Sequence, residues 1–309
     1  MNYLYKNVTV KRVIAFVFLA SLFSDSQILC AQTETDGQLP SKLKTSLNAY
    51  SFNSPLSDGS MDLDSLLEYC AGEGFEAVDI TAYYFPGYPE VPSDEYLYHI
   101  KQKAFLLGLE ISGTGVRNDF TNPDPAERGE SIQLVKNWIV AAEKLGAPVI
   151  RIFAGKGEYE GYTRSQLTEW LVEDIKECVE FGKNHGIVVA IQNHNDFFKT
   201  SGQVVEIMKK VDSEWFGLIL DIGSFREGDA YNQIEQTAPY AVSWQIKEEV
   251  FMDGKSEKTD LPRLLKIIRK SGYRGYVPIE TLGQGDPAIK IHDFFTEFKG
   301  AFREVFSEE

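Results

Sequence analysis

Four short, largely apolar segments in the second half of the chain end on side chains that carry a ligand oxygen. They end at Gln192, Asp221, Gln245 and Glu280. An apolar run with a polar end is typical of a buried parallel strand whose carboxyl end opens into a polar site. One such residue can simply mark where a strand leaves the core, but four strands in succession that end alike predict a shared mouth.

The chemistry of these four side chains indicates what that mouth could bind. Two carboxylates and two amide oxygens suit Mg, Mn or Ca better than zinc, which prefers His and Cys. We therefore expect a divalent metal, with Mg or Mn favoured, whose affinity is modest because the site holds only two formal negative charges. The expected metal ligands are Gln192, Asp221, Gln245 and Glu280.

Polar residues beside these strand ends are the other candidates for chemistry. His194 alone among four histidines lies next to the expected ligands, which makes it a candidate proton carrier near neutral pH. Lys247 could hold a substrate oxygen, or it could form a salt bridge with Glu248 or Glu280. Arg151 and Asp79 could bind a polyol or each other. The expected substrate-binding residues are Asn193, Arg151, Ser224 and Glu248.

Eight strand–helix pairs along the chain would position these residues. The strands are predicted near 45–52, 76–80, 109–112, 148–153, 188–191, 217–221, 241–247 and 276–280, each followed by a helical apolar stripe. Each right-handed crossover needs a helix to return the chain, so the pattern predicts a single-domain (βα)8 TIM barrel. A doubly wound open sheet is the alternative, but the eighth strand and the lack of a Gly-rich phosphate turn after the first strand argue against it.

The amino-terminal residues have the features of an export signal. Basic residues at Lys6, Lys11 and Arg12 precede the apolar run 13–20, so residues 1–31 are predicted to be a signal peptide. That run is too short to span a bilayer, and we expect no membrane span in the mature chain. Residues 32–43 are predicted to be a linker, and 44–309 the barrel. The protein is therefore expected to be periplasmic or secreted; a lipoprotein anchored through Cys30 is the alternative.

Charge and cysteine content exclude two other classes of protein. The formal net charge is −15 and no basic stripe is present, which argues against nucleic acid as a partner. The mature chain keeps only Cys70 and Cys178, both on apolar helical stripes, so it is not a disulfide scaffold. We expect both to be small buried hydrophobes.

The order and spacing of several short motifs resemble the sugar phosphate isomerase/epimerase family, whose members have a xylose-isomerase-like barrel. The similarity covers residues 44–305, and the motifs are Gly74–Asp79, Leu145–Ala147, Gln192–His194, Leu220–Gly223, Gln245–Lys247 and Ile279–Glu280. The resemblance implies a divalent metal held by Glu, Asp, His and Glu from strands five to eight, with the two Glu residues moving a proton between sugar carbons. Asp221 and Glu280 match this set, whereas Gln245 replaces the His and Gln192 replaces the first Glu. An amide can bind a metal but cannot act as a base near neutral pH.

The residues and the resemblance together favour a metal-dependent carbohydrate-active enzyme, an isomerase or a lyase. It would enolise a keto sugar or keto-glycoside next to a carbonyl, giving isomerisation, epimerisation or β-elimination, with Glu280, His194 and Lys247 as catalytic residues. Asp196 or Glu248 could replace the lost base. An exported protein meets few sugar phosphates, and the sequence shows no basic pocket for an anion. The expected small-molecule substrates are therefore free or oxidised glycosides.

Two alternatives come from other functional classes. The chain could be a non-catalytic carbohydrate-binding barrel that has lost one catalytic carboxylate, at Gln192. A DNA-repair nuclease on the same barrel is disfavoured, because its zinc cluster needs many His ligands and its surface needs positive charge. The sequence makes no prediction about oligomeric state.

Overall fold

The computed structural model describes residues 43–306 as a closed barrel of parallel strands surrounded by helices. The eight barrel strands are β1 Lys44–Asn48, β2 Ala77–Thr81, β3 Glu110–Gly115, β4 Val149–Ile152, β5 Val188–Gln192, β6 Phe216–Asp221, β7 Ala241–Lys247 and β10 Tyr276–Glu280. Between the last two, β8 Glu249–Met252 and β9 Lys255–Lys258 form an antiparallel hairpin that the sequence analysis did not predict. Around the barrel the order is β1-β10-β7-β6-β5-β4-β3-β2, which confirms the TIM-barrel prediction.

Helices cover the outside of the barrel, and most begin and end at residues that suit those positions. They are α1 Asn53–Asp58, α2 Leu63–Glu73, α3 Asp94–Leu106, α4 Pro125–Leu145, α5 Arg164–Asn184, α6 Ser201–Val211, α7 Ala230–Thr237, α8 Leu261–Lys270 and α9 Pro287–Phe306. The Asp62 side chain accepts a hydrogen bond from Ser65 N and caps α2, and Gly74, with φ of 83°, ends that helix. Among residues 43–306, no helix is both long and apolar enough to cross a bilayer.

The first strand is shorter than the sequence predicted. It ends at Asn48, and residues Ala49–Phe52 form a 3-10 turn that leads into α1. The Asn48 carboxamide oxygen accepts a hydrogen bond from Tyr50 N at 2.9 Å, which is the local side-chain contact that competes with strand extension. The apolar content of this segment therefore reflects burial of the turn.

The core lies both inside the barrel and between its strands and helices. Every residue of β2 and β6 is buried, as expected for parallel strands covered on both faces. Cys70 and Cys178 are free and buried, in agreement with their expected role as small hydrophobes. The predicted signal peptide, and the predicted linker except for Leu43, lie outside the described residues.

Candidate functional site

The carboxyl ends of β5, β6, β7 and β10 meet at one mouth of the barrel. Gln192, Gln245 and Glu280 line a cavity of about 630 Å³ there, and Asp221 is fully buried beside them. Gln192 joins two of the others, because its Nε2 donates to Asp221 Oδ2 at 2.8 Å and to Gln245 Oε1 at 2.7 Å. The structure thus brings the four predicted strand-end residues into one cluster.

Asp221 is the most heavily hydrogen-bonded group of this cluster. Its Oδ2 also accepts from Ser224 Oγ and from Lys247 Nζ, both at 2.8 Å, and its Oδ1 accepts from Gly223 N at 2.9 Å. Burial alone would raise the pKa of Asp221, but the Lys247 ammonium and the hydrogen bonds from Lys247, Ser224 and Gln192 lower it. Asp221 is therefore held as a carboxylate.

Lys247 lies between Asp221 and Glu280, the two carboxylates of the strand-end cluster. Its Nζ is 2.8 Å from Asp221 Oδ2 and 3.8 Å from Glu280 Oε2, and its side chain is 15% exposed. Burial alone would lower the pKa of Lys247, but Asp221 and Glu280 raise it, so the group stays an ammonium. The alternative predicted for Lys247, a salt bridge, had Glu248 or Glu280 as the partner. The shorter contact is to Asp221.

Glu280 is the carboxylate at the floor of the cavity that faces the space for a ligand. It is 5% exposed, and burial raises its pKa. The carboxylates of Asp221 and Asp79 raise this pKa further, whereas Lys247 and Arg151 oppose the rise. A carboxylate with a raised pKa is a stronger base than an exposed one, which is the property that proton abstraction from carbon needs.

His194 lines another part of the cavity together with Asp196. Its Nδ1 lies 2.9 Å from Asp196 Oδ2, although the angle falls outside hydrogen-bond geometry, and its ring packs edge-on against Phe153 with centroids 5.2 Å apart. The side chain is 38% exposed and remains accessible from the cavity. Of the two residues expected to replace the lost base, Asp196 thus reaches the cavity beside His194.

Arg151 provides a buried cation on the β4 side of the same cavity. The residue is 6% exposed, its guanidinium packs on the face of Phe153 at 4.1 Å, and its Nη2 donates to Tyr83 OH at 3.2 Å. Its Nη1 is buried and has no hydrogen-bond partner among the described residues. Buried donors in proteins are nearly always paired, so this N–H is suited to an oxygen of a bound ligand.

Two of the expected substrate-binding residues do not line the cavity. Asn193 is fully buried; its Nδ2 donates to Asp221 O at 2.9 Å, and its Oδ1 accepts from Asp221 N at 2.7 Å. Glu248 turns outward, accepts from Leu282 N at 3.3 Å and pairs with Lys290 at 3.1 Å. Both therefore hold the strand ends in place. Ser224 does line the cavity, where its hydroxyl orients Asp221.

Comparison with known proteins places the chain in a family. Residues 67–298 match the family model of the xylose isomerase-like TIM barrel. The chain belongs to this family. The predicted resemblance is therefore confirmed, and comparison with curated proteins gives no match.

Solved structures of similar fold include enzymes that act on sugars. 3-Keto-D-glucoside 4-epimerase from E. coli is 14% identical with a TM-score of 0.69, over 84% of this chain and 100% of that one. D-Psicose 3-epimerase from Clostridium cellulolyticum H10 is 17% identical with a TM-score of 0.67, over 85% and 98%. The IolI protein, solved with a bound zinc atom, is 19% identical with a TM-score of 0.67, over 86% and 98%. At these identities the likeness shows the fold alone.

The donors in this xylose isomerase-like barrel do not fit a divalent metal. No group of three or more His, Cys, Asp or Glu side chains within residues 43–306 is arranged to hold a metal ion. The cluster places the Gln192 amide nitrogen, and not its oxygen, against Asp221, and an ammonium lies 2.8 Å from that carboxylate. The Mg or Mn site expected at Gln192, Asp221, Gln245 and Glu280 is therefore poorly matched to the groups that the strands present.

Several residues of the mouth were not identified from the sequence. Tyr83, Arg117, Asp119, Phe153 and Lys156 all line the cavity. They lie in loops after β2, β3 and β4, where the sequence gives no strand-end signal as clear as the four later ones. The aromatic loop after β2 was a partial signal. Its Tyr83 lines the cavity.

The other rings of that loop belong to the core. Phe85 and Tyr88 pack against Trp138, with ring centroids 5.4 Å and 5.9 Å away. The aromatic loop after β2 therefore contributes one ring to the cavity and two to the core.

Proposed function

We propose that this protein is a carbohydrate-active enzyme, an isomerase or a lyase, that enolises a keto sugar or keto-glycoside beside its carbonyl. The observation that carries the proposal is the arrangement at the cavity floor, where the buried Glu280 carboxylate lies 3.8 Å from the Lys247 ammonium. A base next to a fixed positive charge is what proton removal from a carbon adjacent to a carbonyl requires. The cavity of about 630 Å³ is within the ~300–1,000 Å³ range of small-molecule sites.

Glu280 is assigned the role of the base. Its carboxylate removes the proton from the carbon next to the carbonyl, and the C–H electron pair moves into the carbon–carbon bond as the carbonyl oxygen gains charge. Return of the proton to the former carbonyl carbon gives isomerisation, with the adjacent hydroxyl passing its proton to the former carbonyl oxygen as it becomes the new carbonyl. Loss of a β-oxygen substituent gives elimination instead. The raised pKa of Glu280 favours each proton transfer because the group is then closer in basicity to its partner.

Lys247 and Arg151 are assigned to substrate oxygens. The Lys247 ammonium has three N–H donors and uses one on Asp221, so the others can hold the oxygen on which charge develops. The unpartnered Arg151 Nη1 can take a hydroxyl or carbonyl oxygen at the other side of the cavity. Tyr83, whose hydroxyl accepts from Arg151, offers a ring against which a sugar can pack.

Gln192 limits what this arrangement can do. Inversion at a carbon requires a base on each face, and the resemblance implies a Glu at the position that Gln192 holds. With an amide there, Glu280 removes and returns protons on one face, which suits isomerisation or β-elimination. His194, beside Asp196, is assigned to exchange protons with substrate hydroxyl groups.

The relatives of similar fold support a carbohydrate as the substrate class. Those named above include epimerases of a free ketose and of a keto-glycoside. Both are substrates with a carbonyl next to a C–H bond that can be enolised. The test therefore uses a panel of free ketoses and 3-keto-glycosides.

The experiment follows deuterium incorporation from heavy water by NMR for the wild type, Glu280→Gln and His194→Ala. The wild type should incorporate deuterium next to the carbonyl, and Glu280→Gln should lower the rate by about 10²-fold or more. Glu90→Gln, an exposed carboxylate, is the matched control and should retain the wild-type rate. An inverted product from the wild type would refute the single-base assignment.

Gln192 also supports a second candidate, a carbohydrate-binding barrel without catalysis. That reading predicts tight binding of a sugar to the wild type with no exchange at carbon across the whole panel. Calorimetric titration of the same panel distinguishes the two functions, because only the enzyme should combine binding with isotope exchange.

A further inference from the structure

The centre of the mouth already contains a positive charge supplied by the protein itself. We infer that the Lys247 ammonium takes the place of a divalent cation in this barrel, so that the site works without a bound metal. The inference has two parts. The role of the ammonium in catalysis rests on the proposed function, whereas the exclusion of a metal follows from the geometry of the cluster and is tested separately.

The hydrogen-bonding capacity of one Asp221 oxygen, Oδ2, is fully used. A carboxylate has about four lone-pair sites, two on each oxygen. Asp221 Oδ2 accepts from Lys247 Nζ, Gln192 Nε2 and Ser224 Oγ, each at 2.8 Å, and Oδ1 accepts from Gly223 N at 2.9 Å. A metal ion could bind Oδ2, the oxygen that Lys247 and Gln192 contact, only if one of these donors moved away.

The two glutamines present at least one amide N–H to the carboxylates of the cluster. Gln192 Nε2 faces Asp221 Oδ2 at 2.8 Å and Gln245 Oε1 at 2.7 Å. Rotating the Gln245 amide brings its nitrogen to 3.3 Å from both Asp221 Oδ2 and Glu280 Oε2, and its oxygen to 3.0 Å from Asn48 Nδ2. The first orientation suits Gln192, and the second suits the carboxylates and Asn48. In either orientation of the Gln245 amide, at least one amide N–H faces a carboxylate. The carboxylates are therefore arranged to accept hydrogen bonds.

The cluster carries less negative charge than the ligand set that the resemblance implies. Gln192 removes one carboxylate, so Asp221 and Glu280 face the single positive charge of Lys247. A divalent cation added beside Lys247 would meet like charge, with one carboxylate fewer to offset it.

Strand geometry holds Lys247 at this position. Gln245 and Lys247 are two residues apart on β7, so their side chains lie on the same face and both reach the mouth. Lys247 is also the register partner of Glu280 on β10. The remaining N–H groups of the ammonium are available to a developing oxyanion. The structure thus assigns to Lys247 the electrophilic role that a metal ion has in other enzymes.

The test measures Mn²⁺ on the purified protein by metal analysis after dialysis and follows melting temperature with chelator or with added MnCl2. The wild type should retain less than about a tenth of a Mn²⁺ ion per chain and should melt at the same temperature in both conditions, because only a ligand of the native state raises stability. One Mn²⁺ per chain on the wild type, lost in Asp221→Asn, would overturn the inference.

A second arm reverses the replacement. Gln192→Glu with Lys247→Met restores the carboxylate and removes the ammonium, and this variant should bind at least tenfold more Mn²⁺ than the wild type. Lys247→Met alone tests the contribution of the ammonium, and circular dichroism checks that both variants fold. A folded double variant that binds no more Mn²⁺ than the wild type would also contradict the inference. These measurements do not depend on catalytic turnover. A protein that bound no metal and showed no sugar chemistry would therefore refute the proposed function but not the inference that the site lacks a metal.

Discussion

Replacing Asp79 with Asn should make the stability of the barrel less dependent on pH. Asp79 is a residue of β2 and is 8% exposed. Burial raises its pKa to about 6, and the charge of Arg151 offsets this only in part. The Asp79→Asn change removes the ionisable group and nearly keeps the shape of the side chain, so it tests the free-energy cost of the buried charge.

The size of the effect follows from proton linkage. An Asp in the unfolded chain has a pKa of ~3.9, so between ~4 and about 6 the folded state binds more protons than the unfolded state. Stability therefore falls as the pH rises through that window. A shift of ~2 pKa units corresponds to ~3 kcal/mol, of which ~2 kcal/mol should appear between pH ~4.5 and ~8.

The assay is urea unfolding of the wild type and Asp79→Asn at both pH values. At each pH the free energy of unfolding of the wild type is subtracted from that of the variant. This difference should be about 2 kcal/mol larger at pH ~8 than at pH ~4.5. Asp174, whose pKa is also raised to about 6 by burial, is present in both proteins and cancels in the comparison. Exposed Glu90→Gln is the control. A stability difference that is the same at both pH values would refute the reasoning.

Three further predictions follow from the packing and from the amino terminus. Gly115→Ala would place a Cβ 2.6 Å from Arg151 Nε and displace the guanidinium. Steady-state kinetics should therefore show KM rising about tenfold, with a smaller fall in kcat. The control Gly129→Ala, whose Cβ would meet no atom within 4 Å, should show neither change. Asn193→Ala should lower the free energy of unfolding by about 1–3 kcal/mol, because it leaves the buried Asp221 N–H unpaired. Urea unfolding measures this, with Asn195→Ala as the control, and an equal loss in both variants would contradict it. Mass spectrometry of protein from the native host should show an amino terminus near residue 32, whereas an intact Met1 would contradict the predicted export.

The barrel was predictable because its signals are local and repeated. Apolar runs such as those before Gln192 and Glu280 alternate with amphipathic helices, and eight such pairs leave few other topologies. The hairpin of β8 and β9 was missed for a related reason. The four residues of β9 are all exposed and charged or polar, so they carry none of the apolar pattern on which a strand prediction rests.

The residues on the β2, β3 and β4 side of the cavity could not be assigned to the site in the same way. Tyr83, Arg117 and Lys156 lie in loops, and loop geometry is not determined by the period of apolar residues. Gly113 and Gly115 at the end of β3 also give no sequence signal of a binding site. In the structure the missing Cβ of Gly115 leaves the space that the Arg151 side chain occupies, which depends on how β3 and β4 pair.

The contact between Lys247 and Asp221 depends on a register shift that no sequence pattern indicates. Leu218 of β6 pairs with Ala241 of β7, but the next residue, Ile219, pairs with Ser243, so the register moves by one residue at that point. Continued without the shift, the first register would place Asp221 beside Trp244, and a change of one residue moves a side chain to the other face of a strand. The observed register aligns Asp221 with Gln245, and therefore with Lys247 two residues further along. A single irregularity between two strands thus decides whether the ammonium meets this carboxylate.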